Sequence, residues 1–154
     1  MSSQYTLENE VFAGLVFYGS LALIKTVMMS MLTAYFRIRN ESVPTLEDAK
    51  MMAPNDPDKQ KVLLQPNQDV ERVRRAHLND LENVIPFVLL GLLFVGTNPD
   101  PTTALWHFRI FLAARVLHSI AYVNALRQPL RGIGFGIGLF AFCSMAFQTV
   151  HALC

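Results

Sequence analysis

Four long apolar runs alternate with polar segments along the chain. The runs cover residues 11–31, 84–95, 104–123 and 133–150, and the second can extend backward as a helix through residue 76. A membrane-crossing helix needs roughly 17 to 25 residues at about 1.5 Å rise per residue, and each run can supply that length. The pattern predicts an all-α integral membrane protein, a four-helix bundle with spans at about 11–37, 76–96, 102–124 and 130–151.

Two other architectures fit the pattern poorly. The strands of a membrane β-barrel alternate lipid-facing and lumen-facing residues, and these runs lack that alternation. Each helix of a soluble four-helix bundle carries a polar stripe, and the fourth run has almost none.

One polar segment, residues 38–75, separates the first two runs. It carries four prolines and mixed charge, which are typical of a surface loop with short ordered pieces. No basic n-region or cleavage pattern precedes the first run, so we expect that run to be retained. The length of the chain fits one membrane domain, residues 1–154.

The basic residues predict how the bundle lies in the membrane. Three of the 13 Lys and Arg residues fall within the runs, at Lys25, Arg109 and Arg115. The other ten all lie on the side of the polar segment: Arg37, Arg39, Lys50, Lys59, Lys61, Arg72, Arg74, Arg75, Arg127 and Arg131. Because basic residues concentrate on the cytosolic side, residues 38–75 are predicted to be a cytosolic loop, with both termini on the opposite side.

Composition argues against several other classes of function. The chain is 52% hydrophobic and 16% charged, whereas a soluble domain is about 25% charged. A net charge of +1 argues against nucleic acid as a partner, because nucleic-acid-binding proteins present a basic face. Two cysteines are too few for a disulfide framework, and no CxxC or histidine pair indicates a metal site.

The third run contains two arginines that need partners. A charged side chain at the bilayer centre costs about 2.5–3.5 kcal/mol on insertion scales. The carboxylates near that depth are Asp80 and Glu82. Glu82 lies roughly 21 Å from the end of its span and Arg115 roughly 20 Å from the start of the next, so we expect these two to pair.

Further polar residues recur at helical spacing on one face of the second span and one face of the third. Because the two helices run antiparallel, the expected pairs are Glu82 with Arg115, Asn79 with His118 and Arg75 with Tyr122. One interpretation is that these pairs only hold the helices together. The alternative starts from the excess of arginines at the same end, which would suit a small ligand with more than one carboxylate.

The charged start of the second span carries a family resemblance. Residues 71–83 read ERVRRAHLNDLEN and are followed by Pro86 and Phe87. This segment resembles the signature of the type one-like microsomal glutathione transferases, in the superfamily of membrane-associated proteins in eicosanoid and glutathione metabolism. The resemblance covers nearly the whole chain. Further matches are His107-Phe108-Arg109, Ala114-Arg115, His118, Ala121-Tyr122 and Gln128-Pro129 with Arg131.

The resemblance implies a site and an assembly. It implies a homotrimer in the endoplasmic reticulum membrane and leaves open whether the outer mitochondrial membrane is a second location. Glutathione would be the co-substrate, bound between neighbouring subunits, and no metal is expected. The residues that match glutathione-site positions are Arg37, Arg74, Arg75, His77, Asn79, Glu82, His118 and Tyr122. Arg131 matches the arginine that holds the thiolate and is therefore the predicted catalytic residue.

The implied activity is conjugation of glutathione to lipophilic electrophiles, a detoxification reaction, with glutathione peroxidase activity on lipid hydroperoxides as an addition. One alternative is a glutathione-dependent isomerase like prostaglandin E synthase, which has an arginine and a serine where this chain has Leu78 and Gly132. A second is a non-catalytic lipid-binding membrane scaffold, which has no need of Arg131. The close transferases also carry a cysteine where this chain has Ala49, so we expect no activation by N-ethylmaleimide.

Overall fold

The computed structural model describes residues 4–154, and all regular structure in that range is helical. The six helices are α1 (Glu10–Arg39), α2 (Leu46–Met52), α3 (Pro57–Leu63), α4 (Gln68–Gly96), α5 (Pro101–Val123) and α6 (Gln128–His151). No β-strand occurs within residues 4–154, so the predicted all-α class is confirmed.

The four long helices pack side by side. Helix α1 lies against α4 and α5, and α6 lies against α5 and α4. By length and composition, α1, α4 and α6 are apolar enough to cross a membrane. Helix α5 is 23 residues long, but two arginines and two histidines lower its hydropathy. By the same measure it is therefore not apolar enough to count as a membrane-crossing helix.

The polar segment is more ordered than a plain loop. Helices α2 and α3 are the expected short ordered pieces, and they bury Ala49, Ala53 and Leu63 against one another. Helix α4 begins at Gln68, eight residues before the predicted start of the second span at residue 76. The side chain of Asn67 accepts hydrogen bonds from the amides of the first turn, which explains the earlier start.

An aromatic cluster fills the middle of the bundle. The rings of Phe87 and Phe111 stack with centroids 3.7 Å apart, and Phe108 meets Phe87 edge-on at 6.1 Å. All three side chains are buried, so they fix α5 against α4 through large apolar contact area.

A tight turn carries the chain from α5 into α6. The amide of Leu126 bonds to the carbonyl of Ala121 at 2.9 Å, and that of Ala125 to Tyr122 at 3.1 Å. This pattern is a Schellman motif, with Ala125 in the left-handed region at φ 53°. The turn brings the first residues of α6, including Arg131, beside the end of α5.

Helices α5 and α6 approach closely at Gly134. A Cβ atom added there would lie 3.1 Å from the backbone nitrogen of His118 and 3.2 Å from its Cα. Backbone atoms cannot rotate away as a flexible side chain can, so Gly134 is required by the packing. At Gly136, one half-turn further, a Cβ atom would have no neighbour within 4 Å.

We therefore expect Gly134→Ala to destabilise the bundle and Gly136→Ala to leave its stability unchanged or slightly raised, because alanine favours a helix over glycine. The first change forces α6 away from His118 at a cost of about 1–3 kcal/mol, as overpacking does. The midpoint of thermal unfolding in detergent measures both. Equal midpoints for the two variants would contradict the close approach of α5 and α6.

Candidate active site

A buried carboxylate on α4 forms ion pairs with side chains of α1 and α5. Asp80 on α4 is fully buried, and its two oxygens lie 2.6 Å from the ammonium of Lys25 on α1. The guanidinium of Arg115 on α5, which is 1% exposed, donates to the same carboxylate at 2.8 Å. Lys25 also donates to the hydroxyl of Ser119. Lys25, Asp80, Arg115 and Ser119 form the buried ion cluster.

The predicted pairing of Glu82 with Arg115 is wrong. Glu82 is exposed, and Asp80 takes its place as the partner. The two carboxylates differ in depth by only about 3 Å, because each residue of an α-helix rises about 1.5 Å. They differ by about 200° around the helix axis, however, since each residue turns about 100°. Depth alone could not tell which of them faces α5.

Arg115 connects the buried ion cluster to the predicted site residues. Its Nη2 atom donates to the side-chain oxygen of Asn79 at 2.6 Å and lies 3.5 Å from Nδ1 of His118. Asn79 and His118 were expected to pair directly, and the structure brings them together around this guanidinium. Arg115 therefore sets the positions of two side chains that line the groove described below.

We expect Asp80→Asn to destabilise the protein strongly. The change leaves Lys25 and Arg115 without their carboxylate, and breaking a buried pair costs roughly 3–5 kcal/mol. Asp58→Asn is the matched control, because its pair with Lys61 is exposed on both sides and is screened by water. The free energy of unfolding in denaturing detergent measures both, and similar values for the two variants would count against the buried ion cluster.

Three adjoining cavities lie at the end of the bundle where the arginines gather. The first, of 460 Å³, is lined by Arg37, Arg74 and Arg75 together with residues of the 42–44 and 64–67 segments. The second, of 280 Å³, shares Arg75 with the first. The third, of 320 Å³, shares Tyr122 and Arg131 with the second. The shared residues place the three cavities side by side along one face of the bundle, and together they are called the basic groove.

Most of the predicted site residues meet in the basic groove. It is lined by Arg37, Arg74, Arg75, Asn79, His118, Tyr122 and Arg131. Neither His77 nor Glu82 lines any of its three cavities, although both lie on the same helix as Arg74 and Arg75. Their side chains point to other faces of α4.

The charge of the basic groove is strongly positive. Five arginines line it, and Glu71 is the carboxylate among its lining residues. Glu71 accepts from Arg74 at 2.8 Å and Asp69 accepts from Arg72 at 2.7 Å, so two of the five arginines are neutralised. Arg37, Arg75 and Arg131 form no salt bridge among residues 4–154. Sequence reasoning missed Glu71, although its position three residues before Arg74 on one helix was a usable signal.

Arg131 stands at the inner end of the basic groove. Its guanidinium lies over the ring of Tyr122, with Cζ 4.8 Å from the centroid, and the rings of Tyr122 and His118 are 5.2 Å apart. The Nε atom of Arg131 is buried and has no hydrogen-bond partner among the described residues. The groove can thus grip a ligand with several carboxylates at one end and present an arginine to a developing negative charge at the other.

Comparison with known proteins identifies the family to which the chain belongs. A model of the MAPEG family matches residues 15–151. The chain belongs to the MAPEG family. That result confirms the superfamily predicted from the charged segment 71–83.

Curated proteins of two kinds are similar to the chain. It is 42% identical to microsomal glutathione S-transferase 1 of Homo sapiens over 146 residues, which cover 95% of this chain and 93% of that protein. It is 31% identical to prostaglandin E synthase of Bos taurus over 149 residues, covering 94% and 90% of the two chains. For prostaglandin E synthase of Equus caballus the identity is 34% over 132 residues, covering 86% and 82%. The greater identity to the transferases agrees with the expectation drawn from Leu78 and Gly132.

Proposed function

We propose that this protein is a membrane-bound glutathione transferase that joins the thiol of glutathione to lipophilic electrophiles. The observation that carries the proposal is the basic groove, which runs from Arg37 to a buried, unpaired Nε atom on Arg131. The identity to microsomal glutathione S-transferase 1 over nearly the full length of both chains supports it.

The chemistry follows from the charges of the groove. Glutathione carries two carboxylates, and Arg37 and Arg75 offer guanidinium groups that bind carboxylates in bidentate fashion. Arg74, whose Nε and Nη2 already donate to Glu71, contributes positive charge and its remaining nitrogen. Asn79 and His118, both held by Arg115, and the Tyr122 hydroxyl offer hydrogen bonds to the peptide. Binding then places the thiol beside Arg131.

Arg131 is the proposed catalytic residue. A free cysteine thiol has a pKa of about 8.5, so little thiolate exists at neutral pH. A cation beside the sulfur favours the thiolate, and each unit of pKa lowering needs about 1.4 kcal/mol of preferential interaction. The thiolate sulfur attacks the electrophilic carbon, a carbon–sulfur bond forms, and the leaving group departs with its electron pair. The remaining rate enhancement comes from positioning the thiolate at the membrane edge, because the electrophile arrives there from the lipid.

The proposal includes an assembly. All four long helices cross the membrane, and residues 38–75 face the cytosol. Three subunits associate. The membrane is that of the endoplasmic reticulum, and the outer mitochondrial membrane is a second location. This assembly would give His77 and Glu82 a role in binding glutathione. Both lie outside the groove of their own subunit and would face the glutathione held at a neighbouring one. Glutathione, lipophilic electrophiles and membrane lipid are thus the proposed partners, and no metal takes part.

Two other functions make different demands on the groove. A prostaglandin E synthase-like isomerase is favoured by identities of 31–34% to those enzymes and disfavoured by Leu78 and Gly132. A non-catalytic lipid-binding scaffold would not need an arginine beside a thiol. Peroxidase activity on lipid hydroperoxides is compatible with the transferase, because it uses the same thiolate.

The direct experiment is a conjugation assay with glutathione and chlorodinitrobenzene on the detergent-purified protein, run beside a lipid hydroperoxide assay and a prostaglandin H isomerisation assay. We expect conjugation. Isomerisation without conjugation would favour the synthase, and inactivity in all three assays would favour the scaffold.

Replacing Arg131 should separate catalysis from binding. We expect Arg131→Ala to lower turnover by about tenfold or more, because a thiol pKa raised by one unit leaves about a tenth of the thiolate. Glutathione affinity, measured by calorimetry, should change little because Arg37, Arg74 and Arg75 remain. Arg127→Ala, four residues earlier and outside all three cavities, is the matched control. Equal losses of turnover and affinity in Arg131→Ala would assign this residue to binding alone.

N-ethylmaleimide should not activate the enzyme. The position that carries a cysteine in the activatable transferases is Ala49, which is fully buried between α2 and α3. The exposed thiols are Cys143 and Cys154, both on or after α6 and remote from that segment. Conjugation rates before and after treatment test this, with Cys143→Ser/Cys154→Ser as the thiol-free control. Activation of the unsubstituted protein would overturn the expectation, and its loss in the control would assign the effect to these two thiols.

A further inference from the structure

We propose that Arg109, Trp106 and Tyr18 form a binding site for the phosphate group of a phospholipid in the membrane leaflet opposite the basic groove. The inference rests on the proposed crossing of the bilayer by α1 and α5. It does not depend on the glutathione chemistry.

Arg109 is an unusual charge for a membrane helix. Ionisable residues within spanning segments nearly always face the bundle interior, as Lys25, Asp80 and Arg115 do here. Arg109 is exposed on the outer surface of α5 instead. It takes part in no salt bridge among residues 4–154, so the folded chain supplies it with no counter-charge there.

Two aromatic rings hold the guanidinium in place. Arg109 Nε donates to the hydroxyl of Tyr18 on α1 at 2.9 Å. The guanidinium carbon lies 5.9 Å from the centroid of the Tyr18 ring and 5.6 Å from that of Trp106. Because Nε is used by Tyr18, the two terminal nitrogens point away from it and remain free to bind an anion in bidentate fashion.

The depth of the site suits a lipid phosphate. Arg109 lies eight residues after the start of α5, about 12 Å along the helix. A long side chain on a helix points toward the N-terminus, and the contact with Trp106 shows that Arg109 does so. Its charged end therefore reaches about one turn closer to the membrane surface, where Trp and Tyr side chains gather beside the headgroups.

Charge favours an anion from the lipid over one from the protein. Arg109 is the one Lys or Arg residue expected near that surface, because the ten basic residues outside the spans all lie at the other end. The acidic residues nearest in sequence to the three members of the site are Glu8 and Glu10 at the start of α1 and Asp100 before α5. Asp100 accepts from the amide of Thr103 as the helix cap, and Tyr18 lies eight residues beyond Glu10, again about 12 Å away.

Native mass spectrometry of the detergent-purified protein tests the site with matched probes. We expect dioleoylphosphatidic acid to be retained and dioleoylglycerol, which lacks only the phosphate, to dissociate. Glycerol phosphate, which lacks the acyl chains, should bind at least tenfold more weakly than the full lipid. Equal retention of the two dioleoyl lipids would overturn the proposal, and stronger retention of oleic acid would replace phosphate by carboxylate.

Three variants complete the experiment. Arg109→Gln should weaken retention of dioleoylphosphatidic acid at least tenfold, and Tyr18→Phe should weaken it severalfold by freeing the guanidinium. Arg39→Gln is the matched control, because Arg39 is also exposed and its guanidinium also lies beside a tyrosine hydroxyl, that of Tyr35 at 3.5 Å. Equal loss in Arg109→Gln and Arg39→Gln would show general attraction to positive charge and would overturn the site. Glutathione binding should stay unchanged in all three variants, so a failure of the lipid site is distinct from a failure of the transferase.

Discussion

The bundle depends on the carboxylate of Asp80. In the buried ion cluster this one side chain from α4 holds Lys25 from α1 and Arg115 from α5. All three lie where a bilayer would supply no water, so each charge without a partner would cost several kcal/mol. The cluster therefore links α1, α4 and α5 through one side chain, in addition to the apolar packing between these helices.

The buried ion cluster also sets the geometry of the basic groove. Arg115 is buried and cannot touch a ligand, yet the nitrogen that bonds Asp80 also bonds Asn79 and lies beside His118. The Schellman turn after α5 and the close approach at Gly134 then bring Arg131 over Tyr122. Structural charge pairs and a ligand site were alternative interpretations of the polar residues. In the structure, Arg115 contacts both the buried carboxylate of Asp80 and two side chains of the proposed ligand site, Asn79 and His118.

Much of this arrangement could be predicted from the sequence. The length of the apolar runs gives the four long helices, and the i, i+3 and i, i+4 spacing places Asn79, His118 and Tyr122 in one groove. The choice of Glu82 as partner of Arg115 failed because counting residues gives depth and not direction around the helix. The contact of Lys25 with Asp80 could not be foreseen either, since the two residues lie on different helices and are 55 positions apart in the chain.

The two ends of the bundle have opposite tasks in this account. One end gathers arginines around a soluble peptide, and the other presents Arg109 to lipid. The central claim is that the groove turns glutathione into a thiolate, and a pH titration of bound glutathione tests it most directly. Ultraviolet absorbance of the purified protein with saturating glutathione reports thiolate formation. The account predicts a pKa of the bound thiol below the free value of about 8.5, returning to that value in Arg131→Ala. A bound thiol that titrates at or above the free value in the unsubstituted protein would contradict it.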